Sequence, residues 1–273
     1  VEDIPHVVRA MDNVVDRAVY PLERQELEAV RKRRMGLGVT GLANAAECLG
    51  YPYGSDEFIG FEGLVLSVLR DASYRASVDL AREKGPFPLF DREKYLLSEF
   101  VQRLPFSIQE GIAEVGIRNS HLTSIAPTGT ISLAADNVSS GIEPVFSHWY
   151  DRTIQTWEGP KVERVEDYGY REWGIEGVTA DQCSIIQHLD VLLEASPYVD
   201  SAVSKTCNVG PDVTWEQFKD VYMAAWEGGA KGITTFRADG KRYGILNKAD
   251  DGDESTEAVA CYIDPTTGKK TCD

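Results

Sequence analysis

Over residues 7–19 (VVRAMDNVVDRAV) apolar positions recur three and four apart with charges between them, the spacing of a helix that turns one face to a core. Pro21 cannot continue such a helix, because it has no amide hydrogen and clashes with the preceding turn. A second helical stretch starts near Glu23, and a long helical pattern fills 55–84 until Gly85-Pro86-Phe87-Pro88 stops it. One or two further helices with surface charge fit 91–109. Residues 122–125 (LTSI) alternate and carry β-branched side chains, which predicts a strand. Pro127 breaks that strand, Thr128-Gly129-Thr130 turns, and 131–137 is compatible with a helix. Further on, 187–203 is helical with an interruption at Pro197. Residues 214–229 form a strong amphipathic helix with Thr214 as N-cap, Glu216 and Gln217 in its first turn and Gly228-Gly229 as its stop. Residues 231–237 (KGITTFR) read as a strand, and helices alternating with strands predict an α/β fold.

The strand-turn-helix passage carries the first chemical signal. The opening turn of a helix leaves amide hydrogens without partners, and aligned peptide dipoles place partial positive charge there, so an anion fits. Thr128, Thr130 and Ser132 add hydroxyls, and Gly129 allows close backbone approach to a phosphate. Thr128 or Thr130 acting simply as a helix cap is the plainer alternative. The loop lacks the lysine of a nucleoside-triphosphate P-loop. Gly36, Gly38 and Gly41 in RRMGLGVTGLAN have dinucleotide-fingerprint spacing, but no βαβ unit with a downstream acid accompanies them.

Five blocks, RRMGLGVTGLAN, IAPTGTIS, SSGIEPVF, SKTCN and AWEGGAKGITTFR, occur in an order that resembles the C-terminal half of the catalytic chain of ribonucleotide reductase, in particular the adenosylcobalamin-dependent class II. The likeness runs from about Val7 to the C-terminus. It implies that residues 1–247 are the second half of a ten-stranded α/β barrel with outer helices, and 248–273 a flexible redox tail. The implied activity is radical conversion of ribonucleotides to deoxyribonucleotides. The substrate's diphosphate or triphosphate would lie on Pro127, Thr128, Gly129, Thr130, Ile131 and Ser132, and Cys261 and Cys272 would relay electrons from a thioredoxin-like reductant. The same resemblance implies adenosylcobalamin as cofactor, bound mainly with a partner chain. The family's radical cysteine lies in an Asn-x-Cys-x-Glu motif absent here, which places it on a partner polypeptide, the N-terminal half. The three glycines would then mark a buried crossing of backbones near the barrel core. Half a barrel leaves open strand edges and thus needs that partner. Two alternatives remain: a fragment of an iron-dependent class I large subunit, which should carry adjacent tyrosines that this sequence lacks, or a non-catalytic nucleotide-binding assembly module.

Other side chains are weaker candidates. Glu143 would be repelled by a diphosphate and should turn to backbone donors or to the ribose. Lys205 fits either a phosphate contact or a helix C-terminus. Cys48 and Cys183 read as small buried hydrophobes, and Asn119 as structural. The aromatic stretch from His148 to Trp173 reads as a hairpin or excursion with packed rings, against which a corrin or a partner chain could also lie.

A net charge of −16 and a pI near 4.7 disfavour nucleic acid and anionic membranes, so an anionic nucleotide must be held by local donors. With no apolar run of membrane-spanning length, a cytoplasmic protein is expected. Five scattered cysteines fit neither a disulfide framework nor a zinc site. The tail from Lys248 is acidic and polar, which predicts disorder.

Overall fold

The structure, a computed structural model, describes residues 1–157, 159–210 and 213–237, with backbone alone at 153–156, 261–263 and 270–272. Helix α1 (Ile4–Arg17) begins with Pro5 in its first turn, where a missing amide hydrogen goes unnoticed, and α2 (Glu23–Lys32) ends on Arg33 in the left-handed conformation. After α3 (Leu42–Cys48), Ser55 caps the long helix α4 (Asp56–Lys84) by accepting from the Phe58 amide, and Gly85 closes it. The 91–109 region resolves into α5 (Arg92–Leu96), α6 (Glu99–Gln102) and the start of α7 (Phe106–Val115).

The helix expected over 131–137 is a single turn, α8 (Ile131–Ala134), because Asp136 and Asn137 both adopt positive φ and end it. The aromatic stretch forms the antiparallel hairpin β1 (Trp149–Thr156) and β2 (Gly159–Glu166), then α9 (Tyr168–Trp173). Its rings are not uniformly packed: Tyr150 is buried, but Trp157 is 93% exposed. Helix α10 (Ile185–Ala195) has a capping box of Ser184 with Gln187, and Pro197 turns its end into a 3-10 segment (Ser196–Tyr198). Then follow β3 (Thr206–Val209), α11 (Trp215–Glu227) with a Thr214 and Gln217 capping box, and β4 (Thr234–Arg237). In the tail expected to be disordered, the backbones of β5 (Cys261–Ile263) and β6 (Lys270–Cys272) pair antiparallel; the rest of 248–273 lies outside the described residues.

A parallel arc organises these pieces. The segment around Leu37 pairs with Thr123, Ile125 pairs with Val203, and β3 pairs with β4, all in parallel. Amides confirm the sequence of neighbours: Ser124 donates to Leu37, and Ile125 donates to Ala202. Helices lie between consecutive members in the chain, as parallel pairing requires. The fold is α/β, and no closed sheet exists among the described residues. Along β3, Cys207 and Val209 are buried while Thr206 and Asn208 lie on the other, more open face. One core joins α1, α4 and α7 around Val8, Tyr74, Ile108, Ile112 and Leu122. A second holds Tyr53, Phe58, Leu66, Ile125, Ile142 and Val191.

The glycine-rich crossing is where the arc is tightest. A Cβ on Gly36 would meet Ser124 Oγ at 2.2 Å, and one on Gly38 the Ser124 carbonyl at 2.2 Å. These glycines serve backbone approach rather than dinucleotide binding. Asn119 is structural: fully buried, it donates to Asp12 Oδ1 (3.0 Å) and the Arg33 carbonyl (3.0 Å) and accepts from Ser77 (2.9 Å). Burial alone would raise the Asp12 carboxyl, but the hydrogen bond and charge of Arg33 hold it below the usual range.

Candidate functional site: an anion-binding loop over a cavity

The chain leaving the 122–125 segment enters a loop shaped by its own side chains. Thr128 sits at φ 51°, a costly conformation for a β-branched residue. Its hydroxyl holds it there, accepting from the Gly141 amide (2.7 Å) and lying 3.3 Å from Thr40 Oγ1, which itself donates to the Ser139 carbonyl (2.8 Å). Ser132 is buried, its hydroxyl 3.1 Å from Ser140 Oγ. The hydroxyls of Thr128 and Ser132 therefore brace the loop, and neither Thr128 nor Thr130 caps α8 with its side chain.

The donors are backbone amides. Among the described residues, the N–H groups of Thr128, Gly129, Thr130 and Ile131 have no acceptor, whereas that of Ser132 donates to the Thr128 carbonyl (2.9 Å). Gly129, Thr130 and Ile131 are exposed. Four successive unpaired amides around a left-handed residue make a concave nest for an anion. With only one helical turn behind it, the nest depends on these amides more than on a helix dipole. A Cβ on Gly129 would meet nothing within 4 Å, so the open space beside this glycine is available to a ligand.

Pro127, Gly129 and Ser132 line a cavity of about 510 Å³, within the usual size for small-molecule sites. Thr206 and Asn208 of β3, Phe236 of β4, and Tyr150 and Arg152 of β1 complete much of its wall. Glu143 also lines it, and its carboxylate is engaged at both oxygens: Oε1 accepts from the Thr206 amide (2.6 Å) and Oε2 from Lys205 Nζ (2.7 Å). This is the turn toward backbone donors that repulsion from a phosphate would favour.

Lys205 takes neither role expected of it. Its side chain is 0% exposed, and its remaining hydrogens go to His188 Nδ1 (2.8 Å) and the Thr206 carbonyl (2.5 Å), with the Tyr53 ring centroid 6.0 Å away. Three donors meet three acceptors, so Lys205 neutralises Glu143 from beneath and cannot reach a phosphate. His188 accepts at Nδ1 and so carries its proton on Nε2, 3.3 Å from the Ala180 carbonyl. Burial, reinforced by the Lys205 ammonium, presses its pKa down to about 4.

Sequence reasoning missed His188, Arg152, Asp167 and Glu62. Asp167 lines the cavity, accepts from Asn44 Nδ2 (2.8 Å) and the Tyr170 amide (3.2 Å), and is raised by burial. Glu62 is fully buried with neither oxygen hydrogen-bonded; burial, then the Glu194 charge, push its pKa well above the usual carboxylate range. Cys183 and Cys207 are buried and raised to about 11 by that burial, but Cys48 is exposed, contrary to the reading of it as a buried hydrophobe. Cys261 and Cys272 occupy directly paired positions in the β5–β6 ladder. Among the described residues, no three His, Cys, Asp or Glu side chains are placed to hold a metal, and no helix is long and apolar enough to cross a membrane.

A parallel α/β arc beside a ligand-sized cavity, with a nest of unpaired amides at its edge, defines an α/β protein with groups able to hold an anion. The chain matches the model of the ribonucleotide reductase barrel domain over residues 2–174 and 177–236, and it belongs to that family. It is 31% identical over 269 residues to a vitamin B12-dependent ribonucleoside-diphosphate reductase of Mycobacterium tuberculosis (strain CDC 1551 / Oshkosh), taking in 89% of this chain and 36% of that protein. A protein of the same name from Thermoplasma acidophilum is 31% identical over 272 residues, with 90% and 33% covered. The alpha subunit of a ribonucleoside-diphosphate reductase from Treponema pallidum is 26% identical over 250 residues, with 85% and 28% covered. The chain thus spans about a third of the length of these relatives.

Proposed function

We propose that this chain is the downstream part of a class II ribonucleotide reductase, supplying the substrate-phosphate loop and one side of the active-site cavity. The row of unpaired amides from Thr128 to Ile131, with Gly129 lining the cavity, in a chain of this family, carries the reading. A nucleotide's phosphates lie on that nest, and the ribose extends toward Thr206 and Asn208. The parallel arc is half of a ten-stranded barrel, closed by a partner polypeptide that bears the radical cysteine. Exposed Val14, Val19, Leu22, Trp215 and Trp226 support an assembly that covers more of this surface.

Adenosylcobalamin follows from the vitamin B12-dependent relatives, and when bound it supplies the radical. The cobalamin is held chiefly by the partner, and the 510 Å³ cavity on this chain is of a size that suits a nucleotide. The redox relay at Cys261 and Cys272 is supported by their pairing: directly opposed residues of an antiparallel ladder have Cα atoms about 4.5–5.5 Å apart, within the span of a disulfide. A thioredoxin-like protein would reduce that pair, and the site of action is the cytoplasm.

The test is reconstitution with a polypeptide containing Asn-x-Cys-x-Glu, adenosylcobalamin and a dithiol. Turnover should require all three. Gly129→Val, whose side chain projects into the open space beside the nest, should raise KM at least about tenfold with unchanged circular dichroism, a loss of roughly 1.4 kcal/mol. An unchanged KM defeats the phosphate assignment.

A further inference from the structure

We propose that Arg152, carried on the β1–β2 hairpin, is a second anion-binding element of the cavity. Together with the amide nest it selects a ligand with at least two phosphoryl groups. This deepens the phosphate reading above and rests on it.

The strand's alternation sets the geometry. Tyr150 and Arg152, two positions apart in β1, both line the cavity. Asp151 points the other way and pairs with Arg164 (3.0 Å), whose guanidinium lies 4.6 Å from the Trp149 ring centroid. The outward face of the hairpin is therefore satisfied by its own charges.

Arg152 is not. Its register partner in β2 is Glu163, the position from which a cross-strand ion pair would come. Glu163 instead accepts from Lys161 (2.7 Å). Among the described residues the Arg152 side chain makes no hydrogen bond and no ion pair, although it is half-buried. The two carboxylates lining the cavity are also engaged elsewhere, Glu143 by Lys205 and Asp167 by Asn44. What remains is a half-buried guanidinium with its donors unspent, lining the same cavity as Gly129, one of the four residues whose amides form the nest.

A planar guanidinium binds two oxygens of one phosphoryl group at once, and charge-assisted bonds of this kind are stronger than neutral ones. The nest takes one phosphoryl group through backbone amides and Arg152 takes another. In a chain of net charge −16, a local cation is also what offsets the long-range repulsion of a polyphosphate.

The experiment titrates this chain with sodium pyrophosphate and with orthophosphate by calorimetry, in the wild type, Arg152→Gln, Arg152→Lys and Gly129→Val. Circular dichroism serves as the check of folding. The wild type is expected to bind pyrophosphate at least tenfold more tightly than orthophosphate. Arg152→Gln should erase that preference, while Arg152→Lys, a point charge without the fork, retains part of it. Pyrophosphate affinity unchanged in Arg152→Gln but lost in Gly129→Val overturns the role of Arg152 and leaves the nest standing. No binding of either anion by the wild type overturns both.

Discussion

Replacing Lys205 by Met tests the polar base of the cavity. Methionine keeps much of the chain's bulk but removes an ammonium with 0% side-chain exposure and three bonds, to Glu143 Oε2 (2.7 Å), His188 Nδ1 (2.8 Å) and the Thr206 carbonyl (2.5 Å). Breaking a buried ion pair by deleting one partner costs about 3–5 kcal/mol, because the other charge is left uncompensated. Glu143 keeps the Thr206 amide and is 23% exposed, so water can restore part of its solvation and the low end applies, about 3 kcal/mol. At roughly 2–4 °C per kcal/mol for a chain of this size, the melting temperature should fall by about 6–12 °C. The assay is urea denaturation at pH 7 of the wild type, Lys205→Met, Glu143→Gln and the double variant. The double variant should be at least about 1.5 kcal/mol more stable than the sum of the single losses predicts, since removing both charges leaves neither stranded. A loss under about 1 kcal/mol for Lys205→Met, or additivity within about 0.5 kcal/mol, refutes the coupling.

Two other outcomes follow from the same geometry. His188, pressed to about 4 against an unfolded imidazole near 6.5, is a group the unfolded chain protonates first. Stability present above about pH 6.5 is lost as pH falls through 4, by roughly 3 kcal/mol in all, and His188→Gln should flatten this slope in urea melts at pH 7 and 4.5. An equal slope in both proteins removes His188 from the account. Gly38→Ala, whose Cβ would sit 2.2 Å from the Ser124 carbonyl, should destabilise by about 1–3 kcal/mol, whereas Gly129→Ala, meeting nothing within 4 Å, should leave the melt unchanged. Equal stability of the two variants would show that the crossing has room.

Signals within one or two turns of chain were legible in the sequence. Thr214 and Gln217 form the expected cap, Gly85 closes α4, and Pro197 ends α10. Alternation at 122–125 located a member of the parallel arc, and the glycines at 36 and 38 fall at a backbone crossing. The turn at Thr128 to Thr130 was also readable, but its internal hydrogen bonding was not. Which hydroxyls turn inward depends on Thr40, Ser140 and Gly141, contacts made across the fold that no local pattern encodes. The destination of Lys205 depends on Glu143 and His188, each distant in sequence, and a lysine beside a strand looks the same whether it faces water or a buried carboxylate. Helix propensity overran α8 because two consecutive left-handed residues, Asp136 and Asn137, are set by tertiary context. Arg152 could have been found by applying the two-residue period to β1, had the strand's cavity-facing side been known.

The arc has two raw rims. Among the described residues the segment around Leu37 and strand β4 each have a strand neighbour on one side only, so both present unpaired peptide groups to whatever arrives first. Rims of this kind are templates for further strand pairing, so at high concentration the isolated chain should stick to its own kind.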